Sequence, residues 1–186
     1  MISRSPITVD DRQKTPPSAV RVDELKTLGV PAGVARLDLA DYQWTVEGDD
    51  GVAVHLMEEK LINDLLNSVA DGRLARFAQG EVAPGVRRSL LLVGTYEYGV
   101  ESYHHVWTPD AIDNLLADVQ TAGITVVRAV SPGVAAARIA SFWNHTGSSG
   151  RTLDQPTRPE VTSYYLNPDM REAVRFLMGL PGVGEK

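Results

Sequence analysis

The chain has 186 residues, 43% of them apolar, which suffices for one packed domain with an appendage; 24 acidic against 18 basic residues leave a net charge of -6. That balance excludes the strongly basic surface of a self-sufficient nucleic-acid binder, so any such role is expected to lean on bound cations, a partner or a second module. Cysteine is absent, which excludes disulfides and thiolate metal sites; with no bilayer-length apolar run and no signal-peptide pattern at Met1, a soluble intracellular protein is expected, cytoplasmic or nuclear, with no membrane role.

Leu37, Leu39 and Asp41 alternate in the manner of a strand that continues through Tyr42, Gln43, Trp44, Thr45 and Val46. The turn Gly48-Asp49-Asp50-Gly51 folds it back on a second strand, Val52 to Lys60, in which Val52, Val54 and Leu56 alternate with other residues. This hairpin brings Asp41 beside Glu58, two hard oxygen ligands of the kind magnesium or manganese prefers. Glu58 and Lys60 share one strand face, so a cation-binding carboxylate and an ammonium can serve one phosphate, while Glu59 points the other way. Ile62, Leu65, Leu66 and Val69 then recur at helical spacing, and Asp64 rides in the first turns, returned towards Lys60.

Arg73 and Arg76 follow on one helical turn and are candidate phosphate contacts; Arg87 and Arg88, beyond a loop at residues 80–85, fit either that role or solvated surface charge. Leu90 to Val93 and Ile124 to Val130 read as central strands. Between them Pro109 to Ala122 reads as a helix capped by Thr108, with Ile112, Leu115, Leu116 and Val119 on one face. Pro132 to His145 reads as another, and the alternation of strand and helix implies an α/β fold with a mixed central sheet flanked by helices. Tyr96, Tyr98, Tyr103 and Trp107 would stack on bases or anchor their own loop. The histidines are not read as metal ligands: adjacent His104 and His105 would face opposite ways on a strand, His55 lies on the face opposite Glu58, and His145 ends a helix. Residues 147–160, with Gly147-Ser148-Ser149-Gly150 and prolines at 156 and 159, read as a linker; residues 161–186 form a small second element with a helix from Asn167 and Pro168 to Gly179.

The ordered motifs resemble the XPF-type structure-specific endonucleases, whose relatives include archaeal Hef nucleases and, more distantly, the PD-(D/E)XK, restriction-endonuclease-like fold. The family pattern reads Gly-Asp-Tyr, a spacer, Glu-Arg-Lys, three residues and Asp. Ala40-Asp41-Tyr42, Glu58-Glu59-Lys60 and Asp64 stand at those places, Asn67 to Leu74 is similar to the following Asp/Asn-Gly-Arg-Leu segment, and Ile7 to Gln13 looks like the first strand, which usually ends Val-Asp, any residue, Arg-Glu. The resemblance covers about residues 5 to 145. Four positions depart from it: Ala40 for Gly, Gln13 for Glu, Glu59 for Arg, and Gly94 where many relatives carry an acid. In the second element, Leu180-Pro181-Gly182-Val183-Gly184-Glu185-Lys186 resembles the hairpin of a helix-hairpin-helix module, in which glycine amides grip a phosphate; a natural chain that continues into the second helix is expected, a vestigial motif or an ordinary helix end followed by a tail being the alternatives.

The resemblance implies a nuclease domain over residues 1–146, a linker, and a partial helix-hairpin-helix element. It also implies a magnesium- or manganese-dependent endonuclease acting on branched, flap or fork DNA. Asp41 and Glu58 would bind the metal with Asp10 assisting, Lys60 would polarise the water or the phosphate, and Asp64 would orient Lys60 or the metal water. Arg12, Arg73, Arg76, Gly182 and Gly184 would contact DNA. In the family the last two helices commonly form a subunit interface, so a homodimer or a heterodimer with another nuclease-family subunit is expected, although packing of the last helix on its own sheet explains the same pattern. The departures also admit a different class, a non-catalytic subunit that binds DNA or pairs with an active nuclease.

Overall fold

A strand buried on both faces has no need to alternate, and Leu90, Leu91, Leu92 and Val93, each at most 1% exposed, mark the middle of the molecule. The computed structural model describes residues 2–14, 16–48, 51–79, 83–96 and 107–146. In chain order these residues form β1 (Ser3–Arg4), β2 (Ile7–Asp10), α1 (Ser18–Thr27), β3 (Ala32–Ala35), β4 (Tyr42–Gly48), β5 (Gly51–Leu61), α2 (Ile62–Ala70), α3 (Arg73–Gln79), β6 (Val86–Val93), α4 (Pro109–Thr121), β7 (Thr125–Ala129) and α5 (Pro132–His145). The described strands make one mixed sheet in the order β3-β2-β4-β5-β6-β7, with β1 paired to β4.

Helical crossovers make the parallel pairs: α1 carries β2 to β3, α2 and α3 carry β5 to β6, and α4 carries β6 to β7. β4 is antiparallel to both β2 and β5. The carboxyl ends of β2, β5, β6 and β7 therefore share one sheet edge with the start of β4, the kind of edge at which α/β folds place their ligands.

The sheet separates two cores. On one side Ile7, Val9, Tyr42, Trp44 and Met57 pack with Val22 and Leu25 of α1 and Ala135 and Ile139 of α5. On the other, Leu90 and Leu92 pack with Ile62, Leu65 and Leu66 of α2, Leu74 of α3, and Ile112, Leu116 and Val119 of α4. The Thr108 side chain caps α4 by accepting from the Ala111 amide at 3.2 Å. Arg4 closes the end of α5, donating to Thr146 O at 2.9 Å and Asn144 O at 2.8 Å, with its guanidinium 5.7 Å from the centroid of the Trp143 ring. No described helix is long and apolar enough to cross a membrane.

The expected strand from Leu37 is corrected: β4 starts only at Tyr42, and residues 37–41 form a bend. Side chains take the backbone groups a ladder would need, since Asp10 Oδ1 accepts from the Leu37 amide at 3.1 Å and Arg12 donates to Leu37 O. Leu37 is buried and Leu39 is 73% exposed, so an apolar alternation is present without a strand. The linker and the carboxyl-terminal element, residues 147–186, lie outside the described residues.

Candidate active site

The site grows from the open end of the β4–β5 hairpin. The ladder runs from Gly48↔Gly51 to Tyr42↔Met57, so Asp41 and Glu58 follow its last rung on adjacent strands. Where β4 has ended, the Asp41 side chain continues the ladder: its amide donates to Met57 O at 3.2 Å and its Oδ2 accepts from the Glu59 amide at 2.7 Å. Lys60 Nζ donates to Glu58 Oε1 at 2.5 Å, with both side chains only about one-fifth exposed (19% and 20%). Burial and then the charge of Glu58 push the Asp41 carboxyl from the ordinary 3.8 to about 7, against the pull of the Glu59 amide and Lys60. A buried carboxyl whose ionisation is hindered by its carboxylate neighbour makes a place where added positive charge is favoured.

Two expected members are placed differently. Asp10 pairs in sequence register with Asp41, but both its oxygens are engaged, Oδ1 with the Leu37 amide and Oδ2 with Arg12 Nε at 2.9 Å. Burial alone would raise its carboxyl; the Leu37 amide and the Arg12 guanidinium outweigh burial and hold it below the ordinary aspartate value. Asp10 and Arg12 thus fasten the bend that leads to Asp41, and among the described residues no three His, Cys, Asp or Glu side chains gather as a cation site. Asp64 sits exposed in the first turn of α2, and Lys60 pairs with Glu58 rather than with it.

Glu58 opens into a cleft of about 440 Å³ whose lining includes Leu39, Leu56, Arg73, Arg76 and Arg88. The structure therefore gathers Arg73 and Arg76 of α3 around the expected carboxylate. Arg73 Nε is held by Asp71 Oδ2 at 2.7 Å, a bond within the exposed turn between α2 and α3. Arg88, whose sequence fits either a phosphate contact or surface charge, donates to Phe77 O at 2.5 Å with its guanidinium 6.0 Å from the Phe77 ring centroid. Strand parity held the signal: Arg88 pairs with Leu56, two residues before Glu58 on the same face, whereas Arg87 pairs with His55. His55 indeed lies on the face opposite Glu58, stacked on Trp44, and Tyr96 and Trp107 are partly buried against the second core. Gly182, Gly184, Tyr98, Tyr103, His104 and His105 lie outside the described residues.

Sequence reasoning missed Arg21, which is fully buried on the other side of the sheet. It donates to Glu59 Oε1 at 2.9 Å, Glu24 Oε2 at 2.7 Å and the Tyr42 hydroxyl at 3.1 Å. Gln13 Nε2 reaches the same hydroxyl at 2.6 Å and Glu59 Oε2 at 3.1 Å, and Tyr42 donates to Glu59. The unusual residues at positions 13 and 59 thus meet each other, and neither projects into the cleft.

The ERCC4 domain model matches residues 9–142. The fold is similar to that of XPF from Aeropyrum pernix (TM-score 0.57, 21% identity, covering 97% of this chain and 76% of that one). It is similar at the same TM-score and identity to XPF from the same organism in complex with DNA, covering 96% of this chain and 76% of that one. No curated protein matches at a significant level. With the model spanning well over half of its length, the chain belongs to the ERCC4 domain family of XPF-type nucleases.

Proposed function

We propose that the protein is a divalent-metal-dependent DNA endonuclease that hydrolyses phosphodiester bonds at branched, flap or fork structures in repair, recombination or replication. The raised Asp41 carboxyl, set against Glu58 and beside Lys60 at the carboxyl edge of the sheet, carries this reading. The residues fit magnesium or manganese, which commonly take one or two protein carboxylates and complete their shell with water and phosphate oxygens. Asp41 and Glu58 would hold the ion, and when bound it would neutralise charge on the phosphate and acidify a water.

Lys60 carries three N–H donors and gives one to Glu58, leaving others for a non-bridging phosphate oxygen or the attacking water. Asp64, exposed in the first turn of α2, would act from outside the ligand set by orienting a metal-bound water. Arg73 and Arg76 grip the backbone beside the scissile phosphate, joined by Arg88, which fits the cleft they line. In this reading Asp10 and Arg12 serve by fixing the bend before Asp41. Gly182 and Gly184 would add a sequence-independent phosphate contact, and a second family subunit would supply affinity that the acidic chain lacks. The Aeropyrum pernix XPF–DNA complex supports DNA as the substrate class.

The test is cleavage of labelled flap, fork, bubble and linear DNA in magnesium, manganese or EDTA, with Asp41→Asn and Lys60→Ala as controls. Metal-dependent cutting of branched DNA that both variants lose is expected; full activity in either variant removes the assignment. That no three potential ligands gather among the described residues favours one second reading, a non-catalytic subunit that binds DNA or partners an active nuclease. Binding without cutting in every metal would select it.

A further inference from the structure

We propose that Arg21 is a positioning residue for this site, acting through Glu59 from the opposite face of the sheet; the inference rests on the nuclease reading for its catalytic consequence. β5 alternates at its open end: Glu58 and Lys60 project on the cleft side, while Glu59 between them projects into the first core. β4 has no strand residue left beyond Tyr42↔Met57, so on that side the Glu59 amide is held by Asp41 Oδ2 at 2.7 Å. One residue thus joins the two faces. Its amide fixes the Asp41 carboxylate, and its side chain, 7% exposed, is fixed by an Arg21 side chain with no exposure.

A fork of donors does the fixing. Arg21 reaches Glu59 Oε1 at 2.9 Å and Oε2 at 3.2 Å, while Gln13 Nε2 and the Tyr42 hydroxyl close on Oε2. Gln13 Oε1 is buried and finds no partner among the described residues, while the amide nitrogen donates to Tyr42 and Glu59. Burying an ion pair is a poor route to stability, because apolar residues of similar volume often do as well. Placed directly behind Glu58 and Lys60, this pair has a positional use instead. It also accounts for two departures from the family pattern as one change: the usual acid at 13 and base at 59 are replaced by an amide and an acid, and the cation is supplied from α1.

The test compares Arg21→Met and Glu59→Gln with the triple exchange Gln13→Glu/Arg21→Met/Glu59→Arg, which returns the cation to β5. Hydrogen exchange at the position 59 amide is read by NMR, with the Val54 amide of the hairpin as reference, alongside single-turnover cleavage and flap affinity. In both lesser variants exchange at position 59 should quicken about tenfold or more relative to Val54. The cleavage rate should fall about 10- to 100-fold at unchanged DNA affinity, and the triple exchange should recover both. Unchanged exchange at position 59 in the folded variants, or a folded triple exchange as impaired as Glu59→Gln, would overturn the proposal. Should Arg21→Met fail to fold, Glu59→Gln and the triple exchange decide the matter. A wild-type protein that cuts nothing sinks the nuclease reading alone, and the exchange at position 59 still decides the positioning.

Discussion

Asp41 stands next to Glu58 just beyond the last rung of the β4–β5 hairpin, and its carboxyl is raised to about 7 by burial and by that neighbour. A group whose folded value exceeds its unfolded one stabilises the fold when protonated. Its contribution is complete below about pH 4 and is lost as pH climbs towards 7. Without divalent cations, Asp41→Asn should therefore be more stable than wild type at pH 8, by about 1–3 kcal/mol given partial solvent screening. Manganese should raise the wild-type melting temperature at that pH and leave the variant nearly unmoved. Equal manganese shifts in the two proteins would argue against Asp41 as a ligand.

His55 titrates in the opposite sense. Its ring stacks on Trp44 with centroids 5.2 Å apart and planes 7° from parallel, and burial followed by the charge of Arg87 lowers it from 6.5 to about 4. A depressed folded value gives stability that is full above about pH 6.5 and lost as pH falls towards 4. Because Asp41 and His55 oppose each other across one pH window, the wild-type melting curve should be flatter than either variant's. Asp41→Asn should leave a loss on acidification, and His55→Phe a loss on alkalinisation. Parallel pH profiles for the two variants would contradict this.

Where one interaction dominates, the sequence is legible. β4, α2, α4 and α5 each carry a clean apolar period, and Thr108 with Pro109 marks a helix start that the structure reproduces; in β5 the alternating Val52, Val54 and Leu56 lie on the more open face and the buried residue is Met57. α1 is hidden because its buried stripe is Ser18, Arg21, Val22 and Leu25, correct in spacing but half polar. β3, Ala32–Ala35, is a short edge strand with little buried apolar surface to announce it. The false strand over residues 37–41 fails for the converse reason: its alternation is apolar, but Asp10 and Arg12 claim the Leu37 backbone. Of the candidate site, the placing of Asp41 beside Glu58 and of Glu58 beside Lys60 is legible from the hairpin and strand spacing, while the Arg21–Glu59 pairing depends on a tertiary contact 38 residues apart along the chain.

The cleft arginines make a prediction separable from catalysis. Arg73 and Arg76 line the cleft containing Glu58 and belong to an exposed helix face, so truncation leaves the core intact. Each of Arg73→Ala and Arg76→Ala should weaken binding to all DNA structures alike and lower the slope of log affinity against log salt by about 1. Filter binding across a potassium chloride series measures both. An unchanged slope would place these side chains outside the DNA path.

Gly94 tests whether a missing acid at the end of β6 is a lost catalytic group or a backbone requirement. Its φ of +110° is one that L side chains rarely adopt, while its amide bonds Ala129 O at 2.8 Å and so holds β6 to β7 in that geometry. A Cβ there would sit 3.5 Å from Ile62 Cγ2, an ordinary contact, so the cost of substitution falls on the backbone rather than on packing. Gly94→Ala and Gly94→Glu should each destabilise by about 1–2 kcal/mol, visible as similar drops in urea midpoint. If the glutamate variant instead matches wild-type stability and cuts faster, the backbone accommodates an acid at this edge and the glycine is a true loss from the metal site.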